Sequence, residues 1–259
     1  MADVIVIGGT DSSGGAGLSR DIATLASLGA KAVPVVTAVT AQTDDQVKKI
    51  QVLPPEMVEA QLECALRTRV VGAIKIGMLG NALTVALIAG ILSKLKNVPI
   101  VLDPVLISSS GTRLLDVDAE EALKHQLLPL SEVVTPNLLE AAMLTGMPIG
   151  DGAATLEKQA FHFRAMGVPN VLIKGGHSTG DVVVDVLFDA WGDHVEFVQT
   201  RQMGSMRGTG CMLASAIAGQ LAQGVALEVA CHIGQQMVGQ AFALRAKNQD
   251  GVATADLAQ

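Results

Sequence analysis

Residues 73–104 read AIKIGMLGNALTVALIAGILSKLKNVPIVLDP. Ala73 to Ile76 has the apolar, β-branched character of a buried strand, and it stops at Gly77-Met78. Ala82 to Lys94 carries a helical pattern, and Pro99 to Leu102 is a second short apolar strand that stops at Asp103-Pro104. Strand, helix and strand in one stretch of this length predict a crossover between parallel strands. The same unit recurs in both directions. Toward the N-terminus lie a strand from Val4 to Gly8, a glycine-rich turn from Gly8 to Gly17 and a helix from Leu18 to Leu28 closed by Gly29. A strand from Lys31 to Ala38 then leads into Thr40-Ala-Gln-Thr43, and Pro34 within it points to an edge or a bulge. Pro54-Pro55 opens a helix to Arg67.

Toward the C-terminus come a strand from Glu132 to Thr135 ending at Pro136-Asn137, a helix from Leu138, and a strand from Asn170 to Lys174 ending at Gly175-Gly176. Val182 to Asp189 and His194 to Gln199, parted by Gly192-Asp193, predict a small hairpin near 182–199. Helices from Cys211 to Gln223 and from Leu227 to Leu244 follow. The expected fold is α/β, with a mostly parallel central sheet and helices on both faces. No linker-like break interrupts it, so residues 1–259 read as a single domain.

Composition narrows the function classes. Half the chain is hydrophobic (49 %), while aromatic residues are 2 % and the formal net charge is -7. Few aromatics and an acidic balance count against nucleic-acid binding, which needs stacking surfaces and clustered Lys and Arg. Cys64, Cys211 and Cys231 make neither a CxxC pair nor a metal-ligand spacing, which predicts a reducing, cytoplasmic location. The N-terminus lacks the basic region and cleavage site of a signal peptide. The longest apolar run, Leu83 to Leu95, is broken by Thr84, Gly90, Ser93 and Lys94, so no membrane span is expected. Cys64 and Cys231 each fall in a helical apolar pattern and read as packing residues.

Several strands end in polar or glycine-rich turns: Gly8 to Gly17, Thr40 to Thr43, Gly77-Met78, Asp103-Pro104, Thr135 to Asn137 and Lys174 to Gly176. In an open parallel sheet these ends meet along one edge, where ligands bind. The Gly8–Gly17 turn is neither G-x-G-x-x-G nor a G-K-[ST] loop, and it reads equally as a tight turn packing a helix onto the sheet. Gly208-Thr-Gly-Cys211 runs into a helix whose first amides can hold an anion, against the plainer reading of a glycine-rich helix start. The same dipole should lower the pKa of the Cys211 thiol. Asn137 and Glu140 share a helical face, either for chemistry or as a cap. Lys174 suits a phosphate or solvent, and Asp103 suits Mg²⁺ or a strand end.

Seven ordered blocks combine into a resemblance. They are Asp11-Ser-Ser-Gly-Gly-Ala-Gly17 with Asp21, Thr37-Ala-Val-Thr-Ala-Gln42, Lys75-Ile-Gly-Met-Leu79, Leu102-Asp-Pro-Val105, Thr135-Pro-Asn-Leu138 with Glu140, Leu172-Ile-Lys-Gly-Gly-His177 and Gly208-Thr-Gly-Cys211. Together they resemble the hydroxymethylpyrimidine/phosphomethylpyrimidine kinases of thiamin biosynthesis, in the ribokinase-like superfamily. The resemblance implies MgATP-dependent phosphorylation of 4-amino-5-hydroxymethyl-2-methylpyrimidine and then of its monophosphate. It implies that Asp21, Gln42, Met78 and Val105 line the pyrimidine pocket, and that Asn137 and Lys174 contact ATP phosphates. Asp103 and Glu140 would organise Mg²⁺, and Gly208, Thr209, Gly210 and Cys211 would form the anion hole, with Cys211 facing the attacking hydroxyl. A homodimer is implied as well. The alternatives are a pyridoxal kinase and a non-catalytic pyrimidine-binding protein. The chain departs from the family pattern at Arg207 (a histidine elsewhere), at Thr43-Asp-Asp-Gln46 and at Ser109, and Arg207 offers a phosphate contact of its own.

Overall fold

Val4, Ile5, Val6 and Ile7 are all fully buried, a continuous run produced by a strand covered on both faces. They belong to β1 (Asp3–Asp11), an interior strand of the sheet. The computed structural model describes the whole chain except residues 1–2, 69, 177–179, 203, 245, 248–252 and 255–259. His177, part of one family block, therefore lies outside the described residues. Around β1 the chain forms α1 (Gly17–Ser27), β2 (Lys31–Gln42), β3 (Val47–Val52), α2 (Pro55–Thr68), β4 (Val71–Ile76), α3 (Ala82–Leu92) and β5 (Ile100–Leu102). There follow α4 (Ala119–Ala122), which continues through irregular helical turns to Leu130, and then β6 (Val133–Val134), α5 (Leu138–Thr145), α6 (Ala153–Ala165) and β7 (Val171–Ile173). Next come β8 (Val182–Phe188), β9 (His194–Thr200), α7 (Thr209–Ala222) and α8 (Leu227–Ala243).

The sheet order is β3-β2-β1-β4-β5-β6-β7-β8-β9. The six strands that run in this order from β2 to β7 are parallel, while β3 and the β8–β9 hairpin are antiparallel additions at either end. The expected parallel α/β fold is present, and the hairpin near 182–199 extends the main sheet. Strand order reverses beside β1: the chain goes from β1 to β2 on one side and later returns to place β4 on the other. This is the crevice position for a ligand in a doubly wound sheet. Pro34 sits in the half of β2 that β3 does not cover, because β3 pairs only from Ala38 onward, so proline's missing donor is harmless there. The β1–β2 register shifts between Gly8 and Gly9, where Thr37 of β2 is the extra residue, three positions beyond Pro34.

Alternate strand residues divide between two cores. Ile5, Ile7, Ile74, Ile76, Leu102 and Ile173 face α2, α3, α5 and α6. Val4, Val6, Ala73, Val101 and Leu172 face α1, α7 and α8. Burying one such Ile or Leu side chain is worth about 1.5–3 kcal/mol, so the two layers fix which way each strand end points. Helix α7 fits closely along its length. A Cβ on Gly219 would lie 3.0 Å from Leu25 Cδ2, and one on Gly72 would lie 2.9 Å from the Ala222 Cβ. Cys231 is buried as a packing residue, but Cys64 is exposed, because its position on α2 turns away from the Val58–Leu62–Ala65 stripe. Among the described residues no helix is long and apolar enough to cross a membrane.

Candidate functional site

Two glycine-rich loops meet at the carboxyl end of β1. Gly17 opens α1 at φ 57, and a Cβ there would lie 2.4 Å from the Gly9 carbonyl oxygen. Gly208 opens α7 at φ 74, and a Cβ there would lie 2.2 Å from the Gly15 carbonyl oxygen. Each position requires glycine for its backbone conformation and for the close approach. The Gly8–Gly17 turn thus packs α1 onto the sheet and also abuts the start of α7. The buried Arg20 donates from Nε to Gly15 O at 3.3 Å, holding the loop from behind. No side chain caps α7, so its first-turn amides face the cleft without a built-in acceptor.

Beneath this loop pair lies a buried ion pair. Lys75 lies on the same side of β4 as Ala73, toward α1 and α7, and its Nζ is 2.9 Å from both oxygens of Asp21. Ser215 of α7 donates to Asp21 Oδ1 at 2.8 Å. Both charged side chains are enclosed, at 1 % and 0 % exposure. Burial raises the Asp21 carboxyl against the pull of Lys75. Burial would lower the Lys75 ammonium, but Asp21, Cys211 and Asp103 outweigh it and hold it above its ordinary value. Three hydrogen bonds on Asp21 are the contacts of an ionised pair. Asp21, expected in the pyrimidine pocket, is enclosed together with Lys75, which lies under the Gly77 turn: a Cβ on Gly77 would be 2.9 Å from its Nζ.

A second pair borders the anion-binding end. Lys174, at the end of β7, places Nζ 2.8 Å from Asp103 Oδ1, at the end of β5. Thr135 adds a longer bond of 3.4 Å to the same oxygen. A Cβ on Gly210 would lie 3.1 Å from Lys174 Nζ and 3.4 Å from Asp103 Oδ2. Asp103, Lys174 and the first turn of α7 are thus one cluster. Lys174 is nearly buried and paired, which excludes the solvated reading. Asn137 and Glu140 form a reciprocal capping box on α5: Asn137 N donates to Glu140 Oε2 at 2.8 Å, and Glu140 N donates to Asn137 Oδ1 at 2.9 Å. Burial, reinforced by the charge of Asp103, pushes the Glu140 carboxyl up to about 7 against the pull of Lys174. The backbone of Asn137 also bridges to Lys174, so the cap and the ion pair share one framework.

Cys211 sits in the first turn of α7, partly open to the cleft. The expected low pKa is not found. Burial pushes the thiol up to about 11, helped by Asp21 and Asp103, while Lys75 and the Gly17 amide pull the other way. Desolvation outweighs the pull of Lys75 and the Gly17 amide, so the group is a thiol at neutral pH.

The remaining predicted residues lie nearer the switch point. Met78 packs its sulfur over Gly9, 2.8 Å from where a Cβ would stand, and Thr37 Oγ1 donates to its carbonyl at 2.6 Å. Gln42 is half-buried at the end of β2, and Val105 is half-buried after β5, where its N–H donates to Asp103 O at 2.9 Å. Sequence reasoning assigned no role to Lys75, Arg20, Ser215 or Asp185. Asp185 on β8 is buried and accepts the Gly175 N–H at 2.8 Å, fixing the turn that follows Lys174. Arg207 does not face the anion hole: its guanidinium contacts Asp11, Ser13, Thr43 and Asp44. Two of the stretches in which the chain departs from the family pattern therefore touch each other.

An uncapped helix start, a lysine against it, a carboxylate at the end of β5 and another in the first turn of α5 suit phosphoryl transfer. Comparisons with known proteins agree. The family described as "Phosphomethylpyrimidine kinase" matches residues 11–255. The hydroxymethylpyrimidine/phosphomethylpyrimidine kinase of Rhizobium meliloti is 40 % identical over 228 residues, covering 87 % of this chain and 85 % of that protein. The crystal structure of phosphomethylpyrimidine kinase from Clostridium difficile superposes with a TM-score of 0.80 at 32 % identity, covering 93 % of this chain and 99 % of that one. Pyridoxal kinase from Staphylococcus aureus, in complex with AMP-PCP and pyridoxal, gives 0.90 at 29 % identity over 99 % of this chain and 93 % of that one.

Proposed function

The chain belongs to the phosphomethylpyrimidine kinase family, and on that premise we propose that it transfers the γ-phosphoryl group of ATP to the hydroxymethyl oxygen of 4-amino-5-hydroxymethyl-2-methylpyrimidine. It then acts on the resulting monophosphate, giving the pyrophosphate for thiamin biosynthesis. The observation that carries the reading is the Lys174–Asp103 pair seated directly against Gly210, at the uncapped start of α7.

The hydroxymethyl oxygen attacks the γ-phosphorus in line. As the new O–P bond forms, the bond to the bridging oxygen breaks and its electron pair leaves with ADP. The amides of Gly208 to Cys211 receive the charge on the equatorial oxygens, and Lys174 neutralises the phosphates. With its pKa at about 11, Cys211 is a thiolate in only about one molecule in ten thousand at pH 7. Its role is to contact the attacking hydroxyl; the hydroxyl proton passes to an oxygen of the incoming phosphoryl group and from there to water. Gln42 presents both a donor and acceptor to the aminopyrimidine edge, with Met78 and Val105 as apolar walls. Asp103 and Glu140 fit Mg²⁺: they are hard oxygen donors, and the charge of Asp103, which adds to burial in raising Glu140, would be relieved by a cation. When bound, Mg²⁺ neutralises phosphate charge. The reading also takes the chain as one cytoplasmic kinase domain that forms a homodimer, and Asn137 as an ATP contact.

A second reading, a pyridoxal kinase, is favoured by the 0.90 superposition on the Staphylococcus aureus enzyme. ADP release from MgATP, with hydroxymethylpyrimidine, its monophosphate and pyridoxal offered in turn, separates the two. Turnover on both pyrimidines is expected; preference for pyridoxal would move the assignment, and turnover on none would end it.

A further inference from the structure

Arg207 joins three segments far apart in sequence. On one side its Nη1 donates to Ser13 Oγ at 2.8 Å, and Nη2 lies 3.2 Å from Asp11 Oδ2. On the other, Nη1 donates to Thr43 O at 2.9 Å and to Asp44 Oδ1 at 3.2 Å. The side chain is only 10 % exposed. Asp11 Oδ2 is buried and makes no hydrogen bond, and the Arg207 charge compensates it from one side while the Arg20 charge acts on the same carboxylate. A guanidinium shared by two carboxylates and two uncharged oxygens is a strong, directional tie.

The tie falls next to Gln42. Ser12 Oγ accepts from Gln42 N and donates to Gln42 O, both at 2.9 Å. The following turn is closed by Thr43 N to Gln46 O at 2.9 Å. The end of β2 is thus sewn to the glycine-rich loop at residue 42 and to the residue preceding Gly208 at residues 43 and 44. Gly15 lies below the guanidinium: a Cβ there would be 3.5 Å from Nη1 and 3.6 Å from Asp44 Oδ1. No side-chain bond other than those to Ser12 and Arg207 holds the backbone at positions 42 and 43 among the contacts of the described residues.

We propose that Arg207 is a positioning residue, acting with Asp44 to set the end of β2, and hence Gln42, at a fixed distance from the amides of Gly208 to Cys211. The clamp makes the pyrimidine-recognising strand end and the phosphoryl-accepting helix start one rigid unit. Its contribution to substrate recognition rests on the kinase reading above; its contribution to the geometry does not.

The test compares Arg207→Ala, Arg207→Lys, Asp44→Ala and the Arg207→Ala/Asp44→Ala double variant. Hydrogen exchange in the ligand-free proteins is read first. Amides of residues 42–47 should exchange at least about tenfold faster in Arg207→Ala, while the amides of β4 and β5 stay protected. Asp44→Ala, at a half-buried surface position, keeps the test open should Arg207→Ala fail to fold. In steady-state kinetics KM for the pyrimidine should rise about tenfold in Arg207→Ala, with KM for ATP changed less than twofold and Arg207→Lys intermediate. The double variant should lose less than the sum of the two single variants, because Arg207 and Asp44 share a contact. Unchanged exchange at 42–47 in both single variants, a KM effect confined to ATP, or additive effects would each overturn the proposal. Should the wild type turn over no pyrimidine while exchange still quickens, the kinase reading fails and the clamp stands.

Discussion

Replacing Lys75 by methionine removes one charge from an enclosed pair and nearly preserves volume. Asp21 is left with a single donor, Ser215 at 2.8 Å, in place of three bonds. Breaking a buried pair from one side costs about 3–5 kcal/mol, because the remaining charge is neither solvated nor paired. For a domain of this size about 2–4 °C of Tm accompanies each kcal/mol, so Tm should fall by about 6–20 °C. Urea titration gives the same quantity as a shift in midpoint at constant slope. Adding Asp21→Asn removes the stranded charge, so the double variant should be more stable than Lys75→Met alone. The deficit also has a sign in pH. Burial already raises the Asp21 carboxyl, and losing Lys75 raises it further. A folded carboxyl that holds its proton to higher pH than the unfolded chain loses stability as pH rises through that interval, so the deficit shrinks on acidification toward pH 4. A Lys75→Met variant within about 1 kcal/mol of wild type, or a double variant no better than the single, would refute the ionised pair.

Gly208→Ala places a Cβ 2.2 Å from Gly15 O in a left-handed conformation; it should lose at least about 1–2 kcal/mol by denaturation and, by displacing the anion hole, on the order of 10²-fold in turnover. Cys211, raised to about 11, should be alkylated by iodoacetamide about ten times faster for each pH unit between 8 and 10, followed by peptide-resolved mass spectrometry with exposed Cys64 as internal control; a plateau by pH 9 would contradict the raised value. Cys211→Ala should retain measurable turnover, because positioning and charge stabilisation remain. Asp185→Ala leaves the buried Gly175 N–H without its acceptor and should raise KM for ATP more than KM for the pyrimidine, with Asp185→Asn restoring most of the loss.

The βαβ order was legible because each parallel strand is a short apolar run that stops at glycine or a polar residue. Strand β3 was not, since Val47–Val52 exposes Lys48, Lys49 and Gln51 along an edge and carries little apolar pattern. Helix α6 escaped for a similar reason: its buried residues include Gln159, and Phe161 on the same helix is exposed. In the site, glycines and strand-end polar residues could be located one by one, since local chain geometry demands them. Pairings could not. Lys75 is a lysine inside a buried strand, and nothing local says that Asp21, 54 positions away, receives it. The Cys211 shift had the wrong expected sign because the position at a helix start is read from sequence, whereas the burial that raises the thiol comes from the surrounding walls. Arg207 looked like a phosphate ligand until its partners, 163 and 194 positions distant, were in place.

Helix α7 is a lever as well as a wall. Its 14 residues span about 21 Å from Thr209 to Ala222, at about 1.5 Å per residue. The far end is wedged against Gly72, where a methyl group would come within 2.9 Å of the Ala222 Cβ. A pivot of about 3° to make room there would swing the near end by about 1 Å, enough to cost on the order of 10²-fold in rate. Gly72, at the opposite edge of the sheet from every reacting atom, is therefore a position where a single added methyl would be read, in a screen for activity, as damage to the active site.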